Sequence, residues 1–150
     1  MTMPALFTHI LLPVDGSLMM APLVRRCLAI AAAAGARVEA LHVLPPEEEK
    51  GGGDGEGVGV GEGEDTARAA LILAQVDRDA LEQGVACHGR VVRAAQPWQA
   101  IVDAAREGGA DVICMGAHGR LVAPGQPLGS QTAQVLAHPG VPVLVMRSVT

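Results

Sequence analysis

Short runs of almost continuous apolar residues recur along the chain, separated by stretches in which apolar residues follow helical spacing. Such runs of Val, Ile and Leu are typical of strands that a parallel sheet buries on both faces. Four strong strands are predicted, at residues 9–14, 38–44, 111–115 and 141–146. A weaker fifth strand is predicted at residues 85–93, where polar residues interrupt the pattern.

Between the strands, apolar positions three and four residues apart predict four helices. Glycine and proline mark their ends. The first helix ends at Gly35 and the second at Gly84. The third opens at Pro97 and closes at a glycine pair at 108–109, and a short fourth helix covers about residues 130–138.

The alternation of strands and helices predicts an α/β doubly wound fold, with a five-stranded parallel sheet, right-handed crossovers and helices on both faces. A chain of 150 residues suits one such domain, over residues 1–150. With a strand order of 3-2-1-4-5, the first and fourth strands are neighbours at the switch point of the sheet. Doubly wound folds bind ligands there, beyond the carboxyl ends of the strands.

A glycine-rich and glutamate-rich segment at about residues 46–64 breaks this regularity. Eight of the 13 residues at 51–63 are glycine, and neither GxxxxGK[ST] nor GxGxxG is present. The segment is therefore predicted to be a flexible surface loop. Residues 47–65 carry a net charge of −7 and the whole chain carries −5, so the other residues together carry +2. The chain outside this segment is therefore nearly neutral, and only 1% of all residues are aromatic. Both features argue against nucleic-acid binding.

No apolar run reaches the roughly 18 residues that a membrane span needs, and the N-terminus lacks the basic region of a secretory signal. The three cysteines have no CxxC spacing and lie in apolar runs, as buried thiols do in a reducing compartment. The histidines show no metal-ligand spacing. We therefore expect a cytoplasmic protein without membrane insertion and without a metal site made of protein side chains.

Candidate chemistry lies in the connection between the fourth strand and the last helix. Glycine at a strand exit lets backbone N–H groups approach a ligand closely. A serine at the start of the next helix adds a hydroxyl beside free N–H groups, where the dipole favours an anion. A plain turn built from glycines is the alternative. The motif is Gly116-x2-Gly119-x9-Gly129-Ser130, within the segment from Met115 to Gln131.

Charged side chains refine this prediction. Arg120 supplies a fixed positive charge within the motif, and His118 contacts phosphate or faces solvent. At the exit of the first strand, Pro13, Val14 and Asp15 line the same crevice. Because a carboxylate repels phosphate, Asp15 is predicted to accept hydrogen bonds from ribose or adenine. Capping the following turn is the alternative.

The segments ILLPVDGS, LHVLP, ADVICMGAHGR and PVLVMR, together with the G-2x-G-9x-G-S spacing, resemble the universal stress protein family. The resemblance covers the chain outside the glycine-rich segment. It implies a Rossmann-like fold, homodimers joined through the last strand, and ATP binding in the subset with this glycine motif. Magnesium would be held by the phosphates of ATP.

Carried onto this chain, the resemblance implies nucleoside contacts from Pro13, Val14 and Asp15 and an adenine contact from Val43. Val43 lies at the exit of the second strand, where its backbone groups can meet a base edge. The residues expected around the ribose and phosphates are Met115, Gly116, Gly119, Arg120, Gly129, Ser130 and Gln131. The spacer departs from the family pattern because it contains Pro124, Gly125 and Pro127.

The resulting hypothesis is an ATP-binding stress-response regulator that uses the nucleotide as a ligand or switch. Hydrolysis is expected to be slow at most, because the one lysine, Lys50, lies in the acidic segment and no catalytic base is evident. The alternative is a dimeric interaction module of the same fold that binds no nucleotide, and an ATP-consuming transferase is a third. The last strand, from Val141 to Met146, is apolar and lies at the sheet edge, which favours pairing with a second copy unless the C-terminal residues cover it.

Overall fold

The computed structural model describes residues 6–17, 20–47, 60–118, 128–138 and 140–147. Strands and helices alternate along these residues, as the hydrophobic pattern predicts. The elements are β1 (His9–Pro13), α1 (Met20–Ala34), β2 (Arg37–Leu44), α2 (Val60–Glu82), β3 (Cys87–Arg93), α3 (Pro97–Gly108), β4 (Val112–Gly116), α4 (Ser130–Ala137) and β5 (Val143–Met146).

The five strands form one parallel sheet in the order β3-β2-β1-β4-β5. In this sheet β1 lies between β2, where His9 is opposite Arg37, and β4, where Ile10 is opposite Val112. The predicted strand order is therefore confirmed. The chain leaves β1 and β4 toward opposite faces of the sheet, and this divergence opens a crevice at their carboxyl ends.

Alternate residues of the strands face two separate apolar layers. Ile10 and Leu12 pack with α1 and α2, whereas Leu11 packs with α3 and α4. All three side chains are fully buried. Helices therefore cover both faces of the sheet, as predicted, and the central strands β1 and β4 are buried on both sides.

Three elements begin two or more residues away from their predicted positions. Helix α2 begins at Val60, whereas the glycine-rich loop was predicted to extend to about residue 64. Adding a residue to an existing helix costs less than starting one, which lets the helix extend into this glycine-containing sequence. Residues 48–59 of that predicted loop lie outside the described residues.

Strand β3 begins at Cys87 rather than at residue 85, because the preceding residues close helix α2. Gly84 has a φ of +69°, and the Val85 N–H donates to the Ala80 carbonyl at 2.9 Å. At the other edge of the sheet, β5 begins at Val143 rather than at residue 141. Pro142, which has no N–H, contributes its carbonyl to Ile113 at 2.9 Å.

Candidate functional site

A cavity of about 450 Å³ lies at the carboxyl ends of β1, β2 and β4. The beginnings of α2, α3 and α4 complete its walls. Most of the residues that the sequence predicts at a ligand site line this one cavity. They are Pro13, Val14, Asp15, Val43, Met115, Gly116, His118 and Gln131.

The other predicted site residues fall into two groups. Gly129 and Ser130 form the start of α4, but they do not line the cavity itself. Gly119 and Arg120, together with the proline-containing spacer, lie outside the described residues. The structure thus brings together the β1, β2 and β4 parts of the predicted site.

Sequence reasoning missed further lining residues. Pro97 had been assigned only to the start of the third helix, and the apolar surfaces of Pro97 and Ile101 form one wall of the cavity. Nothing in the sequence pointed to Asp65 and Arg68, because their approach depends on the path of the chain before α2. The missed residues are Met20, Leu41, His42, Leu44, Pro45, Asp65, Arg68, Pro97 and Ile101.

Hydrogen bonds to β2 fix the exit of β1. The Val14 N–H donates to the Leu41 carbonyl at 2.8 Å, and the Val14 carbonyl accepts from Nδ1 of His42 at 2.7 Å. Because a carbonyl can only accept, Nδ1 carries the proton, and Nε2 of a neutral His42 is an acceptor. Both backbone groups of Val14 are thus occupied, and it offers the cavity only its side chain.

Asp15 shapes the turn that leads into α1. Its Oδ1 accepts from the Ser17 N–H at 2.9 Å, and the Ser17 carbonyl accepts from the Met20 N–H at 3.0 Å, where α1 begins. This is the turn-capping arrangement considered for Asp15 from the sequence. Asp15 also lines the cavity, and among the described residues its second oxygen has no hydrogen-bond donor.

The backbone N–H and C=O groups of successive β2 residues point alternately toward β1 and β3, and those of Val43 face the cavity. The Leu41 carbonyl accepts from the β1 side and the Leu44 carbonyl accepts from the β3 side. Val43, two residues after Leu41, therefore directs its N–H and C=O toward the β1 side. Pairing with β1 ends at Leu41, so within the described ranges these two groups have no backbone partner.

The start of α4 is held against β4 by two hydrogen bonds. The Gly129 N–H donates to the Ala117 carbonyl at 2.7 Å, and Oγ1 of Thr132 donates to the Gly116 carbonyl at 2.9 Å. Among the described residues, no side chain caps the N-terminus of this helix. Its first N–H groups therefore lie beside the cavity at the positive end of the helix dipole.

Gln131 connects two helices at the cavity wall. Its Oε1 accepts from the backbone N–H of Trp98 in the first turn of α3, at 2.8 Å. The Trp98 ring in turn stacks on His138 at the end of α4, with centroids 4.2 Å apart. Oε1 is thus occupied as an acceptor, and the group that Gln131 can offer to a ligand is its amide NH2, which is a donor.

Gly116 is tightly packed on the side where a side chain would project. A Cβ at this position would lie 2.9 Å from Cδ1 of Leu23 in α1. Its φ is not positive, so the backbone itself would accept other residues. The close contact with Leu23 gives glycine a packing reason that the sequence analysis did not foresee.

The described residues contain neither a membrane-spanning helix nor a cluster of metal ligands. None of their helices is both long and apolar enough to cross a membrane. In the same part of the chain, no three His, Cys, Asp or Glu side chains are grouped so that they could hold a metal ion.

Comparison with known proteins adds the family. Residues 6–147 match the model of the universal stress protein family. A universal stress protein solved in complex with cAMP is 25% identical, with 95% of this chain and 98% of that chain covered and a TM-score of 0.71. A protein of the same family from Burkholderia pseudomallei is 25% identical over 95% and 98% of the chains, with a TM-score of 0.73.

A universal stress protein from Archaeoglobus fulgidus, solved in complex with dAMP, has the same fold at 21% identity, with 92% and 96% of the chains covered and a TM-score of 0.70. The comparison with curated proteins found no significant match. Because the family model spans nearly the whole sequence, the chain belongs to the universal stress protein family.

Proposed function

We propose that the cavity binds an adenine nucleotide, and that the physiological ligand is ATP with Mg²⁺ held by its phosphates. The observation that carries this proposal is the position of an apolar cavity directly beside the N-terminus of α4, which no described side chain caps. An apolar slot suits a base, and free N–H groups at a helix N-terminus suit phosphate.

The base would lie between the β2 and α3 walls. Leu41, Ile101 and Met115 supply apolar surface there. The N–H and C=O of Val43 would form hydrogen bonds with the edge of the base, which carries a donor and an acceptor side by side.

The sugar and phosphates would follow the crevice from β1 to α4. The free oxygen of Asp15 would accept from a ribose hydroxyl, away from the phosphates that it repels. The amide of Gln131 and the first N–H groups of α4 would donate to phosphate oxygens, in charge-assisted hydrogen bonds of about 1.5–3 kcal/mol each. The cAMP and dAMP bound by two proteins of the same fold support an adenine nucleotide as the ligand.

The nucleotide would act as a ligand or switch in a stress-response regulator. Asp15 would have both carboxylate oxygens engaged, Oδ1 by the Ser17 N–H and the other by the ribose hydroxyl. Hydrolysis would therefore be slow at most, because a general base must be free to accept the proton of water.

Calorimetry with the purified chain tests the binding proposal. ATP with Mg²⁺, AMP and adenosine should each bind, because all three share the base and ribose, whereas GTP should bind more weakly because its base edge differs. Mass spectrometry of small molecules released by denaturation identifies the native ligand. Absence of heat with all three adenine compounds up to millimolar concentration would overturn the proposal in favour of a nucleotide-free interaction module.

We also propose that the protein forms a homodimer through β5. The Pro142 and Met146 carbonyls accept hydrogen bonds from the β4 side, so Leu144 faces β4 as well. Val143 and Val145 then direct their N–H and C=O groups outward, at an edge strand made of apolar residues. Such an edge is a template for a second strand.

Proline substitutions distinguish the outward-facing edge of β5 from the edge that pairs with β4. Val145→Pro removes an outward N–H and should convert a dimer to a monomer in sedimentation experiments, with the fold retained. Leu144→Pro removes an N–H that faces β4 and should destabilise the monomer instead. A wild-type chain that sediments as a monomer, or a dimer that Val145→Pro leaves intact, would contradict pairing through β5.

A further inference from the structure

The fixed charges around the cavity are unbalanced for an anionic ligand. Asp15 and Asp65 line it with two carboxylates. Arg68, on the first turns of α2, is the one lining residue with a permanent positive charge in the described part of the chain. Any ligand that carries phosphate must therefore overcome two negative charges, and Arg68 is placed to offset them.

The packing of α2 sets the position of Arg68. Ile72 lies one helical turn after Arg68, on the same face of α2. Ile72 packs so closely on Gly16 that a Cβ there would overlap its Cδ1. Because Gly16 directly follows Asp15, this contact places the Arg68 turn of α2 over the exit of β1, at the mouth of the cavity.

The guanidinium of Arg68 is also available. Its side chain is exposed, and it makes no ion pair within 4.0 Å among the residues that the structure describes. The arginines of β3 differ in this respect. Arg90 pairs with Glu39 and Glu107, and Arg93 pairs with Glu47.

We propose that Arg68 is a specificity-determining residue that binds the phosphate of the ligand and makes the cavity select nucleotides over nucleosides. This inference rests on the proposed function, since it needs an adenine compound in the cavity. A guanidinium presents several donors in one plane and matches two phosphate oxygens at once. It would approach the phosphate from the side opposite α4, so that α2 and α4 close on the ligand from two directions.

Calorimetry with adenosine, AMP and ATP tests the proposal. Arg68→Ala should weaken AMP and ATP by about tenfold to a hundredfold, the range expected for one charge-assisted interaction, and leave adenosine unchanged. Arg68→Lys should recover part of the loss. Arg78→Ala is the matched control, because Arg78 is exposed on the same helix but does not line the cavity, and it should leave all three affinities unchanged.

The outcomes distinguish the two proposals. A wild-type chain that binds none of the three compounds contradicts the proposed function itself. Wild-type binding with an unchanged ratio of AMP to adenosine affinity in Arg68→Ala overturns the role of Arg68 alone. Equal weakening of adenosine and AMP also overturns it, because the side chain would then act as a wall of the cavity. Thermal unfolding of each variant confirms that the fold is retained.

Discussion

The two ends of the parallel sheet carry similar residue types but use them differently. At the amino ends of the strands, polar side chains pair with one another. The Glu39 carboxylate lies 3.7 Å from Nε2 of His9 and 3.8 Å from Nη1 of Arg90, and Arg90 also reaches Glu107 at 3.5 Å. At the carboxyl ends, Asp15, Val43 and Arg68 each keep a polar group without a partner among the described residues.

This difference has a geometric cause. At the amino ends, each helix returns to the sheet next to the strand that it precedes, and the side chains there meet across short distances. At the carboxyl ends, the chain leaves β1 and β4 in opposite directions, and the groups at their exits face a cavity. Polar groups that fold stability does not use are available to a ligand, so the two ends should respond differently to substitution.

The largest effect is expected where the cavity end is packed most tightly. Gly16 has a φ of +78°, and a Cβ there would overlap Ile72. Gly16→Ala should lower the free energy of unfolding by about 3 kcal/mol, from about 1–2 for the left-handed conformation and the rest from overpacking. Denaturant titration measures the loss.

Gly35→Ala is the control for this substitution. Gly35 has a similar φ of +69°, but nothing lies within 4 Å of its added Cβ. Gly35→Ala should therefore lower the free energy of unfolding only by the cost of the left-handed conformation, about 1–2 kcal/mol. Equal losses in the two variants would show that α2 does not rest on Gly16, and the placement of Arg68 would fail with it.

Two charge-removing substitutions, one at each end of the sheet, compare the two ends directly. Glu39→Gln should cost about 2 kcal/mol, because Glu39 is buried and its carboxylate contacts both His9 and Arg90. The exposure of Arg90, and its second contact with Glu107, keep the loss below that of a fully buried pair. Arg68→Gln should change the stability by less than about 0.5 kcal/mol, as for surface substitutions in general. Equal costs in denaturant titrations would remove the distinction between the two ends.

The backbone of Val43 offers a smaller and more specific test. Val43→Pro removes an N–H that faces the cavity, while the bonds to β3 come from its neighbours in sequence. Adenosine and ATP should both bind about tenfold more weakly, equivalent to about 1.4 kcal/mol, because both present the same base edge. Leu44→Pro is the control and should destabilise the fold, since its N–H faces β3.

Calorimetry separates this effect from that of Arg68. A base-edge contact changes adenosine and ATP equally, whereas a phosphate contact changes ATP alone. Val43→Pro with full affinity for both compounds, and with a fold confirmed by thermal unfolding, would show that the base lies elsewhere.

Local patterns were enough to predict the sheet. The apolar runs at 9–14 and 111–115 report burial on both faces, and glycines such as Gly84 mark helix ends because few other residues adopt a positive φ. The strand order placed Asp15 and Gly116 in one crevice. All of these features depend on residues close in sequence or on rules that hold for the whole fold class.

Contacts between distant segments were not predictable in this way. The bond from the Trp98 N–H to Gln131 joins two helices whose relative position no periodicity encodes. Arg68 reaches the cavity because Ile72 packs on Gly16. This contact depends on the complementary shapes of two segments that are distant in sequence, which no residue pattern encodes. The start of α2 at Val60 was missed because glycine opposes helix formation locally and only the following residues stabilise it.

The smallest effect is expected at the amino end, where Asp111 is tied to the start of β1. It accepts from the Thr8 N–H at 2.8 Å, the Thr8 hydroxyl at 2.9 Å and the His9 N–H at 3.2 Å. Burial acts to raise the pKa of Asp111, but these hydrogen bonds outweigh it and hold the pKa below its ordinary value. Asp111→Asn should cost about 1 kcal/mol near pH 7, since the site is partly exposed.

The pH dependence of this loss identifies its origin. A carboxylate with a lowered pKa in the folded state contributes its full stabilisation above the unfolded pKa, about 3.9, and loses it as the pH falls through the folded value. The stability difference between wild type and Asp111→Asn should thus stay constant from pH 7 to 5 and shrink below about pH 4. Asp103→Asn, on the exposed side of α3, is the control and should change the stability by less than about 0.5 kcal/mol near pH 7. A loss at Asp111 that persisted unchanged to pH 2 would come from shape rather than charge, and the amino end would then not be held by its ionised groups.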